Sequence, residues 1–144
     1  MIHEVKINLS TSNEKGAVYP IVLVLIPVLL MFSGLIIDVG MGVYQHTKLT
    51  GAVDAAAVGS LDAYDRNEWE ENENIVIDYG DALQLATIYL TKNMPDATLK
   101  SIRVEEDKVY VEAKATAQLF FMNIFGKSDM DISASARASL QDGS

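Results

Sequence analysis

The chain has 144 residues, and 20 acids against 11 lysines and arginines give it a net charge of −9. That length allows one compact domain plus an anchor, and the acidity argues against a nucleic-acid surface and offers no polybasic patch for an anionic leaflet. With no cysteine, disulfides, thiolate catalysis and cysteine–metal sites are excluded.

Residues 1–16 form a short polar tail whose charges, Glu4, Lys6, Glu14 and Lys15, cancel, so the negative charge lies from Asp38 onward. Residues 17–37, AVYPIVLVLIPVLLMFSGLII, carry no charge. At about 1.5 Å per residue they reach about 31 Å, the thickness of a bilayer's hydrocarbon core. This predicts a transmembrane helix that tolerates Pro20 in its first turn and bends at Pro27. The apolar run exceeds the core of a cleaved signal peptide, and no small-x-small site closes it cleanly, so a retained anchor is expected. Lys6 and Lys15 before the span against Lys48 after it put the N-terminus in the cytoplasm. Residues 38–144 are then an extracytoplasmic domain.

The helical pattern continues past the span. Leu49, Val53, Ala57 and Leu61 recur at i+4 spacing, predicting a helix extension over 38–63; a break near Gly51 is the alternative. Residues 62–78 read as an acidic, solvated loop. Tyr79–Asn93 reads as a second helix with Asp78 as N-cap, Pro95 as stop, and Tyr79, Leu83, Ala86 and Leu90 on its apolar face. Strands are expected at about 98–105, 108–117 and 130–140, the first two joined by a tight turn at Glu106-Asp107. In the second and third, small apolar residues alternate with polar ones: Val109, Val111, Ala113, Ala115 and Ala117, then Ile132, Ala134, Ala136, Ala138 and Leu140. Between them, LFFMNIFG (119–126) holds three of the four phenylalanines. It reads as a core plug, with an exposed partner-binding patch as the alternative. The expected fold is α+β: a long N-terminal helix, half in the membrane and half protruding, a second helix, and a small antiparallel sheet of about three strands.

One face of that sheet is lined largely by alanine, which buries little area but lets a neighbour come close. Gly51, Ala55 and Gly59, with Ala52, Ala56 and Ser60 beside them, offer a matching surface on the first helix. Gly34, Asp38 and Gly42 also permit close helix–helix contact within the membrane. Asp54 stands alone among these small residues. It either faces solvent or is partly buried at the helix–sheet joint, in which case it needs a partner: a base such as Arg137 or Lys114, or free backbone donors if the helix breaks near Gly51.

Catalytic signals are few. His3 and His46 fall on opposite sides of the proposed membrane, the acidic loop lacks the EF-hand spacing, and Gly40-Met41-Gly42 lacks a phosphate-cradling pattern. No catalytic, cofactor or metal residue is expected, and the chain does not read as an enzyme.

The segment EKGAVYPIVLVLIPVLLMFSGLIIDVGMGVYQHTKLTGAVDAAAVGSL resembles the N-terminal region of TadE-like and TadG-like proteins of Flp (tight adherence) pilus assembly. The resemblance rests on Lys15-Gly16 before the span, Ile26-Pro27 within it, the exit Asp38-Val39-Gly40, and the alanine-rich run around Asp54. The fifth position after Gly16 is Ile21, where pilins cleaved at such a glycine carry glutamate. The resemblance implies a bacterial, pilin-like, single-pass membrane protein that acts in pilus assembly, adhesion or secretion. Its partners would be the lipid bilayer and other Tad/Flp components, or a second copy through the N-terminal helix. The alternative is an anchored extracytoplasmic binding module unrelated to a pilus.

Overall fold

The computed structural model of this chain describes residues 15–65, 70 and 76–140. The polar tail up to residue 14 and most of the expected acidic loop, 66–69 and 71–75, lie outside the described residues. The elements are α1 (Lys15–Ser60), a short 3-10 turn (Leu61–Ala63), α2 (Tyr79–Asn93), β1 (Thr98–Glu105), β2 (Lys108–Gln118), a second 3-10 turn (Met122–Phe125) and β3 (Asp129–Ser139). The strands form one antiparallel sheet in the order β1-β2-β3. The architecture is the expected α+β.

α1 is one element of 46 residues that passes Pro20, Pro27 and Gly51 without a break. Its two halves meet different surroundings. From Val18 to Ile37 every residue but Gly34 is exposed. Beyond Leu49 the helix is one-sided: Leu49, Ala52, Val53, Ala56 and Ala57 are buried in the domain core. That upper half packs on both α2 and the sheet.

The expected α2 face is rotated. Asp78 does cap the helix, its carboxylate accepting from the Asp81 N–H at 2.9 Å, and the helix ends before Pro95. The buried residues, however, are Ala82, Ala86 and Leu90, while Tyr79 and Leu83 are exposed. The larger side chains are displaced because α1 and α2 meet through small residues. Gly59 lies directly under the Tyr89 ring. The buried Ser60 hydroxyl sits 2.6 Å from the Ala56 carbonyl and 3.2 Å from the Ala82 carbonyl, sharing its proton between the two helices.

The alanine face of the sheet forms as its alternation predicts. Val109, Val111, Ala113, Ala115 and Ala117 of β2 are buried, and they oppose Ala138, Ala136, Ala134, Ile132 and Met130 of β3. In β1 the apolar residues Leu99, Ile102 and Val104 do not alternate in sequence. A bulge at Lys100 restores the phase, so that Leu99 opposes Ala113 and Ile102 opposes Val111. Lys100, released by the bulge, donates to Glu112 Oε1 at 2.6 Å. That hydrogen bond holds the Glu112 carboxyl below its usual range. At the β1–β2 turn Glu106 takes a left-handed φ of 52°. Asp107 beside it is buried and ties the turn to the end of β3, its carboxylate accepting from Ser139 Oγ at 2.8 Å and its carbonyl from the Leu140 N–H at 3.1 Å.

Two glycine variants separate close packing from helix propensity. A Cβ at Gly59 would overlap the root of the Tyr89 ring, whereas Gly51 is exposed with nothing near it. Gly59→Ala should therefore destabilise the domain by about 1–3 kcal/mol despite alanine's better propensity, and Gly51→Ala should stabilise it by up to about 1 kcal/mol. Thermal unfolding of the full chain in detergent micelles reads both signs. In the same assay Ala134→Leu should overpack the helix–sheet joint at a cost of about 1–3 kcal/mol; an unchanged melting temperature would show that the joint is not close-packed there.

Candidate functional site at the base of the domain

Among the residues of α1 whose side chains are described, the only buried charged one is Asp38, 2% exposed, one residue past the apolar run. A carboxylate removed from water needs strong partners. Here they are backbone N–H groups of the β2–β3 connector. Oδ1 accepts from Phe120 at 2.7 Å and Phe121 at 3.0 Å, and Oδ2 accepts from Met122 at 2.6 Å. Three successive N–H groups converging on one anion form a nest at the start of the second 3-10 turn, and such charge-assisted bonds are short and strong. Asp38 thus stands where a bound anion would stand, and fastens the connector to α1.

The neighbouring small residues complete the contact. Gly34, Asp38 and Gly42, four residues apart, are the buried positions of this stretch of α1. A Cβ at Gly34 would overlap the Phe121 ring, and one at Gly42 would come within 3.3 Å of Met130 Cε. Within the connector, the Phe121 and Phe125 rings meet at 5.8 Å, tilted by 59°. Gly126, at φ 83°, turns the chain back so that its N–H donates to the Asn123 carbonyl and that of Lys127 to the Met122 carbonyl. This left-handed position favours glycine.

The structure places the other expected interface residues elsewhere. Gly51 and Asp54 are exposed, Ala55 is half-buried, and Gly59 faces α2 rather than the sheet. Asp54 pairs with neither Arg137 nor Lys114. The connector is not the expected core plug: Phe120, Ile124 and Phe125 are 63%, 75% and 61% exposed. A plug needs to reach the space between helix and sheet, but short alanine side chains leave no such space, and the connector lies at the sheet's end beside the lower part of α1. The donors of Phe120, Phe121 and Met122 were not legible as partners of Asp38, because backbone groups leave no mark in a sequence. The available signal was an isolated acid at the end of an uncharged run with no base nearby. Among the described residues no cluster of histidines and acids is arranged to hold a metal.

These features define a class: an α+β protein built around one long helix whose first part is long and apolar enough to cross a membrane. Residues 16–60 match the family model for TadE/G-like proteins of Flp pilus assembly, the family that the sequence resembles. The match covers α1 from Gly16 to its end, including Gly34, Asp38 and Gly42; α2 and the sheet lie beyond it. Neither the curated proteins nor the solved structures gave a significant match.

Removing the carboxylate should open the latch in graded steps. In Asp38→Asn the amide oxygen can keep two donors, but its NH2 would face the Met122 N–H. Asp38→Ala leaves all three donors without their carboxylate and should loosen the connector further. Amide hydrogen exchange at Phe120, Phe121 and Met122 should rise in the order wild type, Asn, Ala. Equal protection in all three proteins would show that the latch does not hold the connector.

Proposed function

We propose that the chain is a non-catalytic, single-pass membrane component of a Flp/Tad-type pilus assembly apparatus, either an accessory protein or a minor-pilin-like subunit. The observation that carries this is the combination, in one helix, of the TadE/G-like match and an exposed apolar segment. That segment has a lipid-compatible surface: its serine, Ser33, donates to the Leu29 carbonyl at 2.8 Å and so needs no water. In this reading residues 17–37 cross the bacterial cell membrane, the N-terminus is cytoplasmic, and the domain from Asp38 onward stands outside the cytoplasm. Its partners are the bilayer and other components of the apparatus, with self-association through the lipid-facing sides of α1 open to it.

Deleting the gene in a piliated host should reduce surface pili and adhesion. The full chain should restore both, and a version beginning at Asp38 should not. Unchanged piliation in the deletion strain would overturn the assignment. Shearing the cells assigns the role: a filament subunit leaves with the pili, and an accessory protein stays with the membrane pellet. N-terminal sequencing of the mature protein shows whether the chain is cut after Gly16.

A further inference from the structure

We propose that the β2–β3 connector is a second membrane contact, in which Phe120, Ile124 and Phe125 insert into the headgroup–acyl boundary of the bilayer that α1 crosses. The inference rests on α1 being the membrane anchor, and three observations carry it.

The first is depth. If the span ends at Ile37, Gly34 lies about 4.5 Å inside its boundary at 1.5 Å of rise per residue. The Phe121 ring covers Gly34, and Asp38 holds the connector there through three hydrogen bonds. The Phe121 end of the connector therefore lies at the shallow edge of the level at which interfacial segments bury their apolar faces, about 5–10 Å into the headgroup–acyl boundary. Its position is set by the anchor and not by a free loop.

The second is composition. Residues 119–126 carry no charge, and Asn123 is their one polar side chain. Phe120, Ile124 and Phe125 are among the most exposed large apolar residues outside α1. In water three such neighbours form a patch that needs cover. Beside the last turn of the span the cover already present is lipid. Lys127 is exposed at the end of the connector, where an ammonium can reach the headgroups while the rings stay below it.

The third is backbone satisfaction. The N–H groups of Leu119–Met122, and of Ile124, Gly126 and Lys127, all donate within the chain. A loop in water has no need of this, but chain entering a membrane does, because lipid offers no replacement partners.

The absence of native cysteine allows a direct test. Single variants Phe120→Cys, Ile124→Cys and Phe125→Cys of the full chain are labelled with a fluorophore and reconstituted into phosphatidylcholine vesicles containing nitroxide-labelled lipids. Leu29→Cys, in the middle of the apolar segment, and Ser135→Cys, on the exposed face of β3, serve as references. All three connector labels should be quenched several-fold more than the label at 135. Shallow nitroxides should act more strongly than deep ones on the connector, and the reverse should hold at position 29. If position 29 is quenched but the connector labels behave like position 135, the inference is overturned and the anchor stands. Connector labels shielded from both lipid nitroxide and aqueous iodide would show that protein covers the patch, which also overturns it. Loss of quenching at position 29 would instead remove the anchor reading, and the inference with it.

Discussion

One helix has to satisfy two environments without a joint between them. α1 is exposed and apolar on all sides over its first part and buried along one stripe over its last, and it stays helical throughout. A helix apolar all round needs lipid or a large protein around it, whereas a one-sided helix needs a domain. The changeover falls at Asp38. There the chain buries a charge on α1 and surrounds it with backbone donors instead of a cation. The compensation comes from a segment more than eighty residues later in sequence, so the helix and the sheet must both be in place before the carboxylate can leave water.

Small residues make this arrangement possible. Alanine along β2 and β3 buries modest area per residue, about 25 cal/mol for each Å² of apolar surface, but it brings helix and sheet backbones close together. Gly59 under Tyr89 and Gly34 under Phe121 are the same device at two levels of one helix, and Ser60, next to Gly59, adds a hydroxyl between two carbonyls. The polar contacts stay local to each level. Among the described buried side chains no nitrogen or oxygen lacks a hydrogen-bond partner, which suits a thin core that has little burial energy to spare.

Much of this fold can be read in the sequence, for physical reasons that differ by element. Alternation along Val109–Ala117 and Ile132–Ala138 marks the sheet because side chains on a strand repeat every two residues. Asp78 and Pro95 bracket α2 because a helix start wants an acceptor and a helix end tolerates proline. What the sequence leaves hidden or points to wrongly has equally specific causes. The phase of β1 is hidden because a bulge at Lys100 inserts one residue between Leu99 and Ile102. The face of α2 is misjudged because weighting by size favours Tyr79 and Leu83, while close approach favours Ala82 and Ala86. The connector is assigned to the core because three aromatics suggest burial, and nothing in its residues says which end of the sheet lies beside the anchor. The latch combines both cases: Asp38 is conspicuous, but its partners are peptide groups.

The absence of any linker between the apolar part of α1 and the part inside the domain has a mechanical consequence. In many anchored proteins a flexible stalk lets the outer domain swivel while its anchor stays put. Here the apolar segment and the core helix are one rod, and the connector braces it at the point where a stalk would bend. Any tilt or rotation imposed on the lower part of α1 is therefore carried whole into the sheet. Neighbours that grip the helix at one level set the bearing of the outer surface at another, as turning a key by its bow sets the angle of its bit.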